Sequence, residues 1–226
     1  MFRSPFVFAL FAMAAAAQDV GADKQKAPPV EVPTFQNPTC PIMGKKVSMP
    51  LFIDTELGRF HVCCKSCFKK ILADLPAAHK TAYPVVQEVK NTICPVSGEP
   101  IGEDAVTITL QGWSFRICCV GCLDEARREA QITLTKVTRD KVVDIGNQTC
   151  PVSGEPVATN AFVLIGDALV RLSSPKVVEA VEKDPVAMLA KAKAIVKLQK
   201  PKGQHVHEAT PAKPAGEVPK KQEGGK

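Results

Sequence analysis

Apolar and polar residues alternate over 106–110 and again over 113–117, and Gln111-Gly112 interrupts the alternation. A period of two is typical of a β-strand with one buried face. Because a short glycine-containing pair between two such runs favours a tight turn, the pattern predicts a β-hairpin. A weaker form of the same pattern predicts a second hairpin from 51–54 and 59–63.

A helical period follows the first of these hairpins, where apolar residues recur at intervals of three and four. They are Phe68, Ile71, Leu72 and Leu75. Further along the chain, Ser174 is suited to a helix N-cap and Pro175 to the first helical position. A longer helix is predicted from Asp184-Pro185 to Gln199. Its predicted buried face comprises Val186, Leu189 and Val196.

Three segments share one order of motifs, so the chain contains an internal repeat. Each begins Asn-x-x-Cys-Pro-x-x-Gly and continues through a predicted hairpin towards a helix. The lead cysteines are Cys40, Cys94 and Cys150, which gives a period of 54 and then 56 residues. Units this small bury little apolar surface alone, so we expect each to need a bound metal ion or a packed neighbour. The chain is therefore predicted to be an α+β protein of small tandem repeats.

The first two repeats each carry four cysteines, arranged as Cys-Pro-x-x-Gly, a hairpin and then Cys-Cys-x-x-Cys. These candidate ligands are Cys40, Cys63, Cys64 and Cys67, and Cys94, Cys118, Cys119 and Cys122. Clustered thiolates bind zinc and other soft metal ions. In the third repeat, Ser173 and Ser174 replace the cysteine pair and Val177 replaces the last cysteine. That unit keeps the frame of the repeat and loses most of its ligands.

The lead cysteine of each repeat lies in an incomplete metal knuckle. In the motif Cys-Pro-x-Cys-Gly, proline fixes a turn and glycine lets backbone amides point at the thiolate. Here the second cysteine position carries Met43, Ser97 or Ser153, so another group must complete a tetrahedral site. His61 is a candidate in the first repeat only, because Arg116 stands at the matching place in the second. As a ligand, Met43 would favour Cu+.

Strand parity distinguishes the two members of each vicinal cysteine pair. Cys64 falls on the same face as Val62, whereas Cys63 falls on the opposite face. The same parity favours Cys119 over Cys118 in the second repeat. We therefore expect the second member of each pair to point inward, and the first member to be a candidate for the fourth ligand. The cysteine three residues later lies on the first helical turn, where the positive helix end favours a thiolate.

The cysteine pattern resembles the TRASH domain, and Cys-Pro-Val-Ser-Gly with its following strand and cysteines is similar to the related YHS domain. The resemblance rests on two spacings, Cys40 to Cys63 to Cys67 and Cys94 to Cys118 to Cys122. It covers residues 37–80 and 91–130 well, and 147–190 as a degenerate copy. It implies treble-clef-like repeats that bind heavy or transition metals in sensing, trafficking or resistance. In the TRASH spacing the first member of each vicinal pair is the ligand, whereas strand parity favours the second.

The N-terminal residues have the order of a signal peptide. A short positive end, Met-Phe-Arg, precedes an apolar run from Pro5 to Ala17, and Gln18-Asp19 follows. This order predicts cleavage near Ala17 and export to the periplasm or the extracellular space. The run is shorter than the roughly 20 residues of a spanning helix, and no later stretch is uniformly apolar. We therefore expect no integral membrane segment after cleavage.

Composition completes the predicted organisation of the chain. The segment before the first repeat and the C-terminal end are rich in Pro, Lys and small residues, which favours disorder. The predicted ranges are a signal peptide 1–17, a linker 18–36, metal-binding repeats 37–90 and 91–146, a degenerate repeat 147–200 with a longer C-terminal helix, and a disordered tail 201–226. The net charge is +6, but Trp113 and Tyr83 are the only Trp and Tyr. A nucleic-acid partner is not expected, because the basic residues lack aromatic stacking partners.

The predicted function is that of an exported, non-enzymatic protein that holds Zn2+, or alternatively Cu+, through thiolates in metal trafficking, buffering or resistance. A site closed by four protein ligands leaves no open position for a substrate. One alternative is a thiol-disulfide oxidoreductase using the Cys-x-x-Cys motifs 64–67 and 119–122. Another is a disulfide-stapled protein-interaction module, because export favours disulfides. Cys150, the ninth cysteine, is interpreted as a buried small residue, an additional ligand or a link between chains, and the sequence does not identify a protein partner.

Overall fold

The computed structural model describes residues 27–198, and within this range the chain is an α+β protein. The predicted α+β class is confirmed. The predicted signal peptide 1–17 and the predicted tail 201–226 lie outside the described residues.

Nine strands and six α-helices are present in residues 27–198. The strands are β1 (Val30–Glu31), β2 (Phe52–Thr55), β3 (Gly58–His61), β4 (Gln87–Glu88), β5 (Val106–Leu110), β6 (Trp113–Ile117), β7 (Val143–Asp144), β8 (Phe162–Ile165) and β9 (Ala168–Arg171). The helices are α1 (Cys67–Ala73), α2 (Leu75–Ala82), α3 (Leu123–Arg128), α4 (Ala130–Thr138), α5 (Val178–Lys183) and α6 (Pro185–Leu198). Short 3-10 turns, Val120–Cys122 and Pro175–Val177, precede α3 and α5.

Each repeat contains one antiparallel hairpin followed by two helices, and the hairpins are β2–β3, β5–β6 and β8–β9. The predicted hairpin at 106–117 is confirmed, with Leu110 opposite Trp113 at its closed end. Its turn residues Gln111 and Gly112 have φ of 47° and 77°. Positive φ at both central positions is the feature of a two-residue turn whose twist matches the flanking strands. The first hairpin closes with Thr55 opposite Gly58, which has φ of 101°, and its two turn residues do not share the positive φ of Gln111.

Three two-residue strands extend these hairpins into sheets. β4 pairs in parallel with β6, β7 pairs in parallel with β9, and β1 pairs antiparallel with β8. The prediction of a linker without regular structure is therefore wrong at Val30–Glu31, because a strand this short is formed by its partner and shows no period of its own. The residues just before the second and third repeats belong to the sheet of the repeat that follows.

Each repeat packs around its own small core, and a lead cysteine lies inside each one. Cys40, Cys94 and Cys150 are all at most 1% exposed. Buried side chains around them come from the second strand of each hairpin, from the residue after it or from a following helix. They include Phe60 and Ile71, then Phe115 and Leu134, then Val170 and Leu172. The hairpin and its helices thus bury the knuckle from one side.

The helices follow the predicted positions, but their buried faces differ from the prediction. α6 begins at Pro185 and ends at Leu198, close to the predicted bounds. Val186, predicted to be buried, is 57% exposed, whereas Pro185 and Ala192 are buried. The buried positions of α6 are a proline and an alanine, whereas the prediction was based on its large apolar residues. None of the helices in residues 27–198 has the length and apolar content needed to cross a bilayer.

Candidate metal centres

The three knuckle loops have the same backbone geometry. The Cys40 amide donates to the Lys45 carbonyl at 2.8 Å, and the Gly44 amide donates to the Cys40 carbonyl at 2.8 Å. The other two loops repeat both bonds, with Cys94, Glu99 and Gly98 and with Cys150, Glu155 and Gly154. Gly44 has φ of 65°, a conformation that residues with a Cβ atom rarely adopt. The turn predicted from Cys-Pro-x-x-Gly is thus formed in all three repeats.

An asparagine three residues before each lead cysteine holds the knuckle against the hairpin. Asn37 is fully buried, and its side-chain oxygen accepts from the His61 amide at 2.8 Å. Its side-chain nitrogen donates to the Thr39 carbonyl at 2.7 Å and to the His61 carbonyl at 2.9 Å. Asn91 and Asn147 make the same three contacts in their own repeats. Each asparagine thereby joins the knuckle loop to the strand that leads to the other cysteines.

We expect Asn37→Ala to lower the free energy of unfolding by about 2 to 3 kcal/mol, because it leaves the buried backbone amide and carbonyl of His61 without their partner. Urea unfolding of the full chain measures the loss. Gln36→Ala is the matched control, since it removes the same amide from an exposed neighbouring residue. A loss below about 0.5 kcal/mol for Asn37→Ala, the range of ordinary surface substitutions, would contradict the assigned role.

The first candidate metal centre, site 1, is formed by sulfur atoms from the knuckle, the chain after β3 and the start of α1. The Sγ atoms of Cys40, Cys63 and Cys67 all lie within 4.8 Å of one another. Cys67 Sγ lies 3.6 Å from Cys40 Sγ and 4.0 Å from Cys63 Sγ. Cys64 Sγ lies 3.5 Å from Cys67 Sγ and 3.9 Å from Cys63 Sγ. Four predicted ligands are therefore brought together, three of them in a compact triad.

The second metal centre, site 2, repeats this arrangement. The Sγ atoms of Cys94, Cys118 and Cys122 lie within 4.8 Å of one another. Cys118 Sγ is 3.5 Å from Cys122 Sγ and 3.8 Å from Cys119 Sγ. Ser97, in the knuckle position that Met43 occupies in site 1, places its hydroxyl 3.3 Å from Cys118 Sγ. A polar partner thus replaces the missing knuckle ligand in site 2.

The triads contain the first member of each vicinal cysteine pair, and not the second member that strand parity favoured. β3 ends at His61 and β6 ends at Ile117, so both vicinal pairs lie beyond the named strands. The alternation of side chains along a strand therefore does not determine which thiol joins the triad. The knuckle and the helix start are fixed by their own hydrogen bonds, and the connecting segment turns the first thiol towards them.

The thiols of site 1 have unequal affinities for protons. Burial opposes ionisation of Cys40, but the backbone amides of Cys63, Ile42 and Met43 outweigh it and hold the pKa of Cys40 below its usual value. Burial, followed by the neighbouring thiols, raises the pKa of Cys67 to about 12. The free triad therefore keeps a proton on Cys67 at neutral pH. A bound cation must displace that proton, so metal affinity rises with pH.

Site 2 shows the same inequality. Burial opposes ionisation of Cys94, but the backbone amides of Ser97 and Cys118 lead the contributions that lower its pKa to about 7. Burial, and then Cys118, raises the pKa of Cys122. Each centre thus pairs a knuckle thiol that ionises readily with a helix-start thiol that stays protonated until a cation replaces the proton.

The sulfur spacing fits a thiolate-bound metal ion. Tetrahedral zinc with Zn–S bonds of about 2.3 Å separates neighbouring sulfur atoms by about 3.8 Å. The measured separations of 3.5 to 4.0 Å in site 1 bracket that distance. The donor set is entirely sulfur in each triad, which suits soft ions including Cu+ as well as zinc. A metal ion therefore needs only small side-chain adjustments to bind.

The additional candidates from the sequence lie outside the compact triads. His61 is 4% exposed, and its ring packs against Phe52 with centroids 5.7 Å apart. Burial, followed by the charge of Arg59, lowers the pKa of His61. Met43 is 49% exposed, and its backbone amide, rather than its side chain, acts on Cys40. His61 does not belong to the group of metal-binding side chains that forms site 1.

The third repeat keeps the knuckle without a thiolate cluster. Cys150 is fully buried, and Ser153 and Ser173 place their hydroxyl oxygens 2.9 Å apart. This contact stands where Ser97 meets Cys118 in site 2. Burial opposes ionisation of Cys150, but the amides of Ser153 and Ser173 outweigh it and lower its pKa. The third repeat thus preserves the geometry that favours a thiolate, with one sulfur in place of three.

All nine cysteines lie within residues 27–198, and none of them forms a disulfide bond there. The sulfur atoms of the clusters are 3.5 Å or more apart, far beyond the length of a disulfide bond.

Comparisons of the chain with protein-family models, with curated proteins and with solved structures gave no match. The candidate function therefore rests on the two sulfur clusters.

Proposed function

We propose that this chain is an exported, non-enzymatic protein whose first two repeats each hold a Zn2+ ion, or alternatively Cu+, through cysteine thiolates. The observation that carries the proposal is the pair of cysteine triads at matching places in two repeats. A chance cluster would not recur with the same knuckle, the same asparagine and the same spacing. The metal ion is either cargo or a stabiliser of the fold, and the protein acts in metal trafficking, buffering or resistance.

The resemblance to TRASH and YHS domains supports the same function. We propose that the repeats are tandem treble-clef-like units, the third of them degenerate. Each repeat has a knuckle, a hairpin and helices in the order that this architecture requires. The order of residues at the N-terminus supports export.

The proposal is tested by measuring metal content and free thiols together on full-length protein purified without oxygen. We expect about two ions per chain with reduced cysteines, because each all-sulfur triad provides one site. Protein that contains no metal and in which the cluster cysteines are joined as disulfides, with the fold intact, would overturn the proposal. Proteins from the same preparation, loaded separately with Zn2+ and Cu+, show which ion is retained against a chelator.

A thiol-disulfide oxidoreductase is the second candidate, favoured by one observation at site 1. Cys64 Sγ lies 3.5 Å from Cys67 Sγ in a Cys-x-x-Cys motif at the start of α1. The Ser66 hydroxyl, followed by Cys67, lowers the pKa of Cys64 to about 7, as in reactive thiols. Metal-free, reduced protein that turns over a disulfide substrate would favour this candidate over metal binding.

A further inference from the structure

Cys64 differs from the other sulfur atoms of site 1 in its place relative to the triad. It lies beside Cys67 and Cys63, at 3.5 and 3.9 Å, but outside the compact group that includes Cys40. Cys40 and Cys67 are each 1% exposed, whereas Cys63 and Cys64 are both partly buried, and of these two only Cys64 lies outside the triad. The Ser66 hydroxyl lies 3.1 Å from Cys64 Sγ, on its exposed side. Cys64 is therefore a sulfur atom that reaches both the solvent and the triad.

A metal ion held by thiolates moves between them by exchange, in which a new metal–sulfur bond forms as an old one breaks. Two buried sulfur atoms of the triad cannot meet an incoming carrier directly. Cys64, a partly exposed thiol outside the triad, lies within one sulfur-to-sulfur step of Cys67 and Cys63 and is placed to make the first contact. We propose, resting on the metal-binding function above, that Cys64 is the entry ligand of site 1, which receives the ion and passes it to Cys40, Cys63 and Cys67.

The transfer is balanced without any change of oxidation state. The Cys64 sulfur loses its proton and forms a bond to the ion as one bond between the ion and its carrier, a thiol or water, breaks. The Cys67, Cys63 and Cys40 sulfurs then each give up any proton they carry and bind the ion, and one further bond between the ion and its carrier breaks as each of these bonds forms. The bond to Cys64 remains as the fourth and weakest contact. Protons pass to solvent or to the departing carrier ligand.

Loss of an entry ligand mainly slows metal exchange, whereas loss of an equilibrium ligand mainly lowers metal affinity. Full-length protein loaded with Zn2+ is mixed with a chromophoric zinc chelator, and release is followed by stopped flow. Site 2 supplies an internal reference phase in the same trace. Cys64→Ser is expected to slow the site 1 phase about tenfold while lowering zinc affinity much less than Cys63→Ser does. Cys63→Ser is expected to lower site 1 affinity by more than about 100-fold, beyond the usual effect of residues outside the ligand set.

Two outcomes overturn the entry role. Cys64→Ser that lowers affinity as much as Cys63→Ser makes Cys64 an ordinary ligand, and unchanged kinetics leave it without a part in exchange. Cys64→Ala serves if the serine variant does not fold: slowing of the site 1 phase supports the proposal and an unchanged rate overturns it. A wild-type chain that binds no zinc instead overturns the metal-binding function itself, so the two failures are distinguishable.

Discussion

Replacing Cys122 with Ser is expected to lower the zinc content of the chain from about two ions to about one, because serine is a far weaker zinc ligand than thiolate. Cys122 is 6% exposed and lies 3.5 Å from Cys118 Sγ inside the triad of site 2. Its removal leaves two triad sulfur atoms, while site 1 is formed by a separate repeat with its own core. Metal analysis of the full-length variant after equilibration with chelator measures the loss.

Cys150→Ser is the matched control for this experiment. Cys150 sits in the same knuckle geometry as Cys94, but Ser173 and Val177 replace the other two sulfur atoms of its repeat. We expect this variant to retain about two ions, because no triad loses a member. Loss of an ion from Cys150→Ser, or two ions retained by Cys122→Ser, would contradict the assignment of the sites to the two triads.

The sequence predicted the elements whose pattern is local. The β5–β6 hairpin follows from alternation and a two-residue turn, and α6 follows from Asp184-Pro185. The strands β1, β4 and β7 were not predicted, because two residues carry no period and are held by bonds to distant partners. Elements determined by neighbouring residues could therefore be predicted from the sequence, whereas strands held by pairing with distant residues could not.

The candidate ligands were all found in the sequence, but their relative roles were not. Position along a strand does not show that Cys63 rather than Cys64 joins Cys40, because the choice depends on how the chain turns after β3. The supporting asparagines were also missed. The signal that identifies them is an asparagine three residues before every lead cysteine, including Cys150, where the metal ligands are lost. Because this asparagine is present in the third repeat without the other candidate ligands, its role is to hold the knuckle loop and not to bind metal.

The contact between the first two repeats was beyond any local pattern. The Gln111 amide donates to the Leu57 carbonyl at 3.3 Å, so the turns of the two hairpins meet. The Gln111 side chain donates to the Phe35 carbonyl and accepts from Gln131. A buried glutamine in a turn is explained only by these partners, which lie in the first repeat, in the predicted linker and in α4 of its own repeat.

Arg171→Leu is expected to lower the free energy of unfolding by about 3 kcal/mol or more, because it leaves two half-buried carboxylates without their cation. Arg171 in β9 donates to Glu129 at 2.9 Å and to Asp144 at 2.9 Å. The three side chains are 17%, 16% and 15% exposed. Burial opposes the charge of Arg171, but the bonds to Asp144 and Glu129 outweigh it and raise its pKa. Urea unfolding of the full chain, with metal content held equal, measures the loss.

Two further variants separate this ion cluster from a general effect of losing an arginine. Arg139→Leu removes the partner of Glu31 from a more exposed pair, with side chains 38% and 52% exposed, and is expected to cost less than about 1 kcal/mol. Combining Arg171→Leu with Glu129→Gln and Asp144→Asn removes the unpaired charges and is expected to restore part of the loss. Because Glu129 precedes α4 and Asp144 lies in β7, the cluster ties the helices of the second repeat to the sheet of the third. Equal losses for Arg171→Leu and Arg139→Leu would contradict that role and leave packing alone to join the two repeats.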